Sequence, residues 1–235
     1  MWKRFRKWHW ILSLIALLQF CIWGVSGSYM VLTDINFIRG NDLIKTPVNV
    51  HSISASITQN FNQTYNAYPA AQRIKLVLST PTPEVQFYID DKLYRIDMIT
   101  KQPAPTIDAV YIKHQVHQWY SHSSTIKDIM LLPAPPAEIS SRHKSVWKVT
   151  FDSLADDTLY FSADSGRLVG KRHNYWRAFD WFWRFHIMDY WEGEDIHNPL
   201  LSFFSLVTLL TALIGFFLLT PWVRHHIKKR GINVA

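Results

Sequence analysis

Residues 11–32 read ILSLIALLQFCIWGVSGSYMVL, twenty-two residues without a charge. A helix of about 20 apolar residues crosses the hydrocarbon core of a bilayer, so this run is long enough to span one. A second run, Leu200 to Val223 (LLSFFSLVTLLTALIGFFLLTPWV), is also uncharged. Basic residues flank each run on its outer side: Lys3, Arg4, Arg6 and Lys7 precede the first, and Arg224, Lys228, Lys229 and Arg230 follow the second. Lysine and arginine collect on the cytoplasmic side of spanning helices. Both termini are therefore expected in the cytoplasm and residues 33–199 outside it, which in a bacterium is the periplasm. The rival reading of the first run is a cleaved signal peptide ending near Ser26 and Gly27. Apolar character continues from Tyr29 to Leu32, which favours a retained helix.

The chain of 235 residues is 48% hydrophobic and 15% aromatic, enough to build a core and too apolar for disorder. Its formal net charge of +7 comes from the two tails, which hold eight basic residues and no acid; residues 33–199 net −1. A nucleic-acid binder carries its positive charge on the folded domain, so nucleic acid is not expected as a partner. Cys21 is the one cysteine. It can form no intramolecular disulfide and no cysteine-based metal site, and it reads as a small apolar residue.

Between the spans the pattern changes. Strands are expected at 73–79, 85–89, 92–99, 145–151 and 158–163, each rich in β-branched and aromatic residues and bounded by Pro, Asp-Asp or Ser-Gly. Helices are expected at 48–66 and 106–121, the second opened by Pro105 and Thr106. The order helix, strand, hairpin then occurs twice. Arg73-Ile74-Lys75-Leu76-Val77-Leu78 matches Thr125-Ile126-Lys127-Asp128-Ile129-Met130, and the hairpin ends LYRIDMITK and LYFSADSGRL are alike. A duplication is the expected cause, with PAPPAE (133–138) as a stiff linker in the second copy.

The tryptophans mark the membrane surfaces. Trp2, Trp8 and Trp10 stand at one end of the first run, Trp222 at one end of the second, and Trp176, Trp181, Trp183 and Trp191 just before the second. Indole rings prefer the interface, where the ring is buried and the N–H stays wet. In 176–191, Phe179, Phe182, Trp183, His186 and Tyr190 recur at helical spacing, with Asp180 and Arg184 an i,i+4 pair on another face. A helix lying at the membrane surface is expected there.

LYFSADSGRLVG resembles the closing strand and turn of a PepSY domain, with Ser165-Gly166 in place and Ser162 where that family often has Asp. The first copy keeps Asp97 and Thr100 but has Lys101 where Gly is usual. RKWHWILSLIALLQFCIWGVSG resembles the first helix of the PepSY-associated transmembrane family, and FHIMDY and TALIGFFLLTPWVR resemble its last blocks. The resemblance implies a membrane-anchored α+β chain: a basic tail to residue 10, a span at 11–32, tandem PepSY-like repeats (helix plus antiparallel sheet) at 33–105 and 106–175, an interfacial helix and linker at 176–199, a span at 200–223 and a tail at 224–235. It suggests an inner-membrane protein in an iron-uptake or redox setting. Larger members that reduce ferric siderophores carry four helices, whereas this chain has two.

Histidines near a membrane are functional suspects. His9, His225 and His226 stand at the cytoplasmic edge, and His186 near the outer edge with His197 beyond it. A b-type haem takes imidazole ligands, and two helices can supply one each. His9 facing His225 or His226 would serve one leaflet; His186 could pair with its copy in a homodimer or with a partner's histidine at the other. The plainer readings are that the cytoplasmic histidines attract anionic lipid and that Asp189 holds the His186 ring. His114, His117 and His122 are expected to face solvent. No nucleophile–base pattern, phosphate loop or HExxH is present, so no catalytic residue is expected. The function expected is a haem-binding accessory to membrane redox or siderophore uptake. The alternative is a non-catalytic module that holds a partner protein, as PepSY domains do in other settings.

Overall fold

The computed structural model describes residues 2–45, 54–78, 80 and 82–229, with side chains from residue 3 to residue 221. Two compact units divide the chain. One runs from Ile35 to Trp176; the other comprises the residues up to Asp34 and those from Arg177 onward.

The second of these is helical. α1 (Trp2–Leu32) and α6 (Pro199–Lys229) pack on one another. Each is 31 residues long, so each continues through what the charge pattern marks as tail. Along α1 the buried positions are Ala16, Gln19 and Ser26, and along α6 they are Val207 and Thr211. Leu14, Leu17, Leu18, Leu206, Leu209, Leu213 and Phe216 face outward. Helices that leave such a band of leucine and phenylalanine uncovered, and place small and polar residues at their contact, are built for lipid rather than water.

The unit from Ile35 to Trp176 opens with a one-turn helix, α2 (Ile35–Ile38), and then holds two antiparallel sheets. The first has the order β1 (Gln72–Val77), β2 (Glu84–Ile89), β3 (Lys92–Asp97). The second has the order β4 (Ile126–Leu132), β5 (Val146–Phe151), β6 (Thr158–Ser162), β7 (Leu168–Arg172). Each has its own helix, α3 (Ala55–Ala67) and α4 (Ala109–Trp119). Strand side chains alternate between faces. Val85 and Phe87 therefore point together, at Ile57 and Phe61 of α3, one turn apart. Val149, Phe151, Leu159 and Phe161 likewise meet Tyr111, Ile112 and Val116 of α4.

Helix starts follow their caps. α3 begins after Ser54, whose Oγ accepts the Ile57 N–H at 3.3 Å; residues 46–53, part of the expected helix, lie outside the described residues. α4 begins at Ala109 and not at Thr106, because the Asp108 carboxylate accepts the Tyr111 N–H at 2.8 Å. β3 stops at Asp97, short of the expected 99, because its Oδ1 turns the chain by accepting the N–H of Ile99 at 2.6 Å and of Thr100 at 3.0 Å. PAPPAE is no free linker: the Ile139 that follows it packs on Val146 and Tyr160, covering the face of the second sheet away from α4, and Glu138 bonds the Tyr160 hydroxyl.

The hairpin ends noted as alike in sequence share a geometry. The Lys101 N–H donates to the Asp97 carbonyl at 2.9 Å, and the Gly166 N–H to the Ser162 carbonyl at 2.9 Å. Both Lys101 and Gly166 are left-handed, at φ 61° and 67°. The glycine also has a second reason to be there: a Cβ on it would come within 2.7 Å of the Tyr111 ring. Gly166→Ala is expected to destabilise the unit by about 2 kcal/mol, from left-handed strain and the displaced ring. Urea unfolding of the full chain in detergent, followed by tryptophan fluorescence, measures it; an unchanged midpoint contradicts the assignment.

The first sheet's other face is polar. Glu84, fully buried, takes Arg95 in a two-pronged pair: Nη2 to Oε1 at 2.7 Å and Nε to Oε2 at 3.0 Å. Arg95 Nη2 also donates to the Tyr111 hydroxyl at 3.2 Å, and Gln86 Nε2 to the Ser165 carbonyl at 3.1 Å. These bonds join β2 and β3 to α4 and to the second sheet's closing turn. Burial, and then the Glu84 charge, push the Tyr111 hydroxyl up to about 12.

Candidate functional site

The histidines singled out by the sequence occupy opposite ends of the α1–α6 unit. His9 lies on α1 against Gly215 of α6, where a Cβ would stand 3.0 Å from the imidazole Cε1. A glycine at 215 thus makes room for the ring. The His9 Nδ1 is buried and has no hydrogen-bond partner among the described residues. Beside it opens a hollow of about 640 Å³ lined by Arg6, Trp10, Leu218 and Pro221 among others. The side chains of His225 and His226 lie outside the described residues.

His186 lies near the end of α5 (Asn174–Ile187), whose Phe179 and Phe182 pack on Tyr29 of α1, with ring centroids 6.3 and 4.5 Å away. Its Nδ1 is 3.1 Å from Ser26 Oγ, its carbonyl accepts the Trp23 indole N–H at 2.8 Å, and its ring rests on Gly27. Ser26 Oγ also lies 2.7 Å from the Ile22 carbonyl, the bond that its one proton makes. The oxygen must then accept from His186. This assigns the proton to Nδ1 and leaves the Nε2 lone pair uncommitted. An almost wholly apolar groove of about 310 Å³, lined by Cys21, Val25, Ser26, Phe182 and Phe185, runs alongside.

Asp189 does not hold His186, contrary to the plainer reading from sequence. Met188 turns left-handed at φ 57° and ends the helix, so Asp189 and Tyr190 leave its face. The Asp189 carboxylate instead gathers the N–H groups of Glu192, Glu194 and Asp195 at 3.1, 3.0 and 3.0 Å. Trp183 too leaves the stripe: it is exposed, and its indole bonds the Gly193 carbonyl at 3.1 Å. The Asp195 N–H, and then those of Glu192 and Glu194 against the opposing cost of burial, hold the Asp189 carboxyl down to about 2. A carboxyl lowered in the folded state stabilises above its ordinary value near 4 and loses that stabilisation as pH falls toward 2. The loop from 188 to 195 is expected to open over that window; emission from Trp183 and Trp191 reports it, and Asp189→Asn should flatten the change.

One histidine in the other unit has no signal in the sequence. His173 is buried and caps α5: it accepts the Trp176 N–H on Nδ1 at 3.1 Å and donates from Nε2 to the Phe37 carbonyl at 2.8 Å. His114, His117 and His122 are exposed, as expected. His122 follows α4, and its Nδ1 lies 3.2 Å from Asp157 and its Nε2 3.9 Å from Asp42.

No curated protein and no solved structure matches the chain. The pattern of the PepSY-associated TM region matches residues 6–233, nearly the whole length. Two outward-facing apolar helices at the ends, with a sheet-containing region between them, agree with that match. The chain therefore belongs to the PepSY-associated TM family, a membrane-anchored α+β protein.

Proposed function

We propose that the chain binds haem b through its histidines and serves as an accessory to membrane redox or iron uptake in the bacterial inner membrane. The observation that carries this is the Ser26–His186 contact. A histidine that ligates a metal donates its other N–H to a fixed acceptor, which sets tautomer and orientation; Ser26 does this for His186 and leaves Nε2 available. The fit continues at the other end. His9, whose Nδ1 is buried and unpartnered among the described residues, lines an apolar hollow that also holds Arg6, a cation suited to a carboxylate substituent. Among the described residues each end offers one imidazole packed on the facing helix, His197 near the second being exposed. The second is assigned to His225 or His226 at the His9 end, and to a second copy of the chain or a partner subunit at the His186 end. Bound haem would supply one-electron transfer; the chain's part is to hold and orient its ring nitrogens and to exclude water.

In this reading both termini are cytoplasmic and residues 33–199 are periplasmic, following the basic flanks. The recurrent helix, strand, hairpin order and the shared turn geometry at Asp97 and Ser162 support tandem PepSY-like repeats at 33–105 and 106–175. Titrating the purified chain in detergent with haemin tests the proposal. Saturable uptake, absent from a His9→Ala/His186→Ala double variant, is expected. Uptake no greater than that of empty micelles contradicts it.

A further inference from the structure

We infer that the unit from Ile35 to Trp176 binds a small molecule that carries a carboxylate or phosphate on an apolar body, in a cleft beside the end of α4. The cleft has a volume of about 410 Å³. Its floor is apolar: Val116, Tyr120 and Phe151 are buried there, the two rings stacked with centroids 3.7 Å apart. Its rim brings together Lys45, Lys113 and His117, and the hydroxyls of Ser123, Ser124 and Thr125. No acidic side chain lines it.

Three features set this apart from an ordinary solvated face. Residues 33–199 net −1, so a basic, acid-free rim is a local concentration against the average. The cations come from two separate segments. Lys113 and His117 are one turn apart on α4, whereas Lys45 is fixed from the other side by its N–H bond to the Trp119 carbonyl at 2.7 Å. The negative end of the α4 dipole accounts for a basic residue in the last turn, and so for His117, but not for the other two. Neither lysine has an acidic partner among the described residues. Finally, the nearby carboxylates line the neighbouring hollow and not this cleft. Asp157 accepts the Tyr120 hydroxyl at 2.7 Å and lies 3.2 Å from His122 Nδ1, and Asp42 lies 3.9 Å from His122 Nε2. Cations and hydroxyls gathered around an apolar floor recognise an oxyanion attached to a ring or chain.

The test is a calorimetric titration of the full chain in phosphatidylcholine nanodiscs, with benzoate as probe. Saturable binding is expected, weakened at least about tenfold in Lys45→Gln/Lys113→Gln, since two charge-assisted bonds are removed. Lys45→Arg/Lys113→Arg should retain it, which separates loss of charge from loss of fold. Neutral benzamide should bind at least about tenfold more weakly. Nanodiscs that also contain phosphatidylglycerol identify the natural source: lost benzoate binding assigns the cleft to a lipid headgroup phosphate, and unchanged binding to a soluble anion. Absence of saturable benzoate binding, or equal binding of benzoate by the Gln double variant, or of benzamide by the wild type, overturns the inference.

Discussion

Arg95→Met is expected to destabilise the unit from Ile35 to Trp176 by about 3–5 kcal/mol, the usual cost of stranding one member of a buried pair. Glu84 has no solvent exposure, and the Arg95 side chain has 11%. The methionine fills much of the volume but leaves an enclosed carboxylate without its counter-charge, with the Gln86 amide at 3.3 Å and the Tyr111 hydroxyl at 3.4 Å as weak remaining donors. The pair also joins the first sheet to α4, so the loss falls on the contact between the two sheets and not on one strand alone. Replacing both residues, Glu84→Met/Arg95→Met, should recover most of the loss, because burying charges is costly even when they are paired. Urea unfolding of the full chain in detergent, read through Trp119 and Trp147, measures both. A single variant within about 1 kcal/mol of wild type, as for an exposed pair, contradicts the account.

His186→Ala is expected to remove haem from its end of the helix pair, because the neighbouring His197 is exposed and does not pack on α1 as His186 does. The loss should be confined to that end: His9 is seventeen residues from Ser26 along α1, about 25 Å at 1.5 Å per residue, and should keep its own haem. Ser26→Ala keeps the imidazole but deletes the acceptor that fixes its tautomer. Outer-shell losses of this kind weaken metal affinity by about 10–100-fold, so partial occupancy is expected. The order wild type, Ser26→Ala, His186→Ala in haem retained per chain is what a ligand held by Ser26 requires. Full retention in His186→Ala would leave the histidine a packing residue.

What the sequence showed and what it hid follow from distance along the chain. The spans depend on unbroken apolar runs, and the strands on alternation; both are local signals. His186 could be picked out because it sits in an aromatic run, yet its partner Ser26 is 160 residues away and resembles any small residue at the end of a helix. Asp189 lies three residues on and looked like the partner. The left-handed turn at Met188 takes it away, and nothing in the local spacing announces such a turn. His122 is exposed, as the sequence suggests, but its position beside acids from two other segments is a long-range fact that no local spacing shows. The Glu84–Arg95 pair was hidden because Glu84 lies at the start of its strand, just before the expected 85–89, where a charged residue reads as exposed. The turn at Ser165-Gly166 was legible because it is short and its glycine has a conformational cause.

The most direct test of haem ligation is the visible absorption spectrum of the full chain isolated from membranes of cells grown with ample haem, first oxidised and then reduced with dithionite. A Soret band and sharp α and β bands on reduction are expected, the signature of an iron held by two imidazoles. A colourless protein under those conditions would contradict haem ligation.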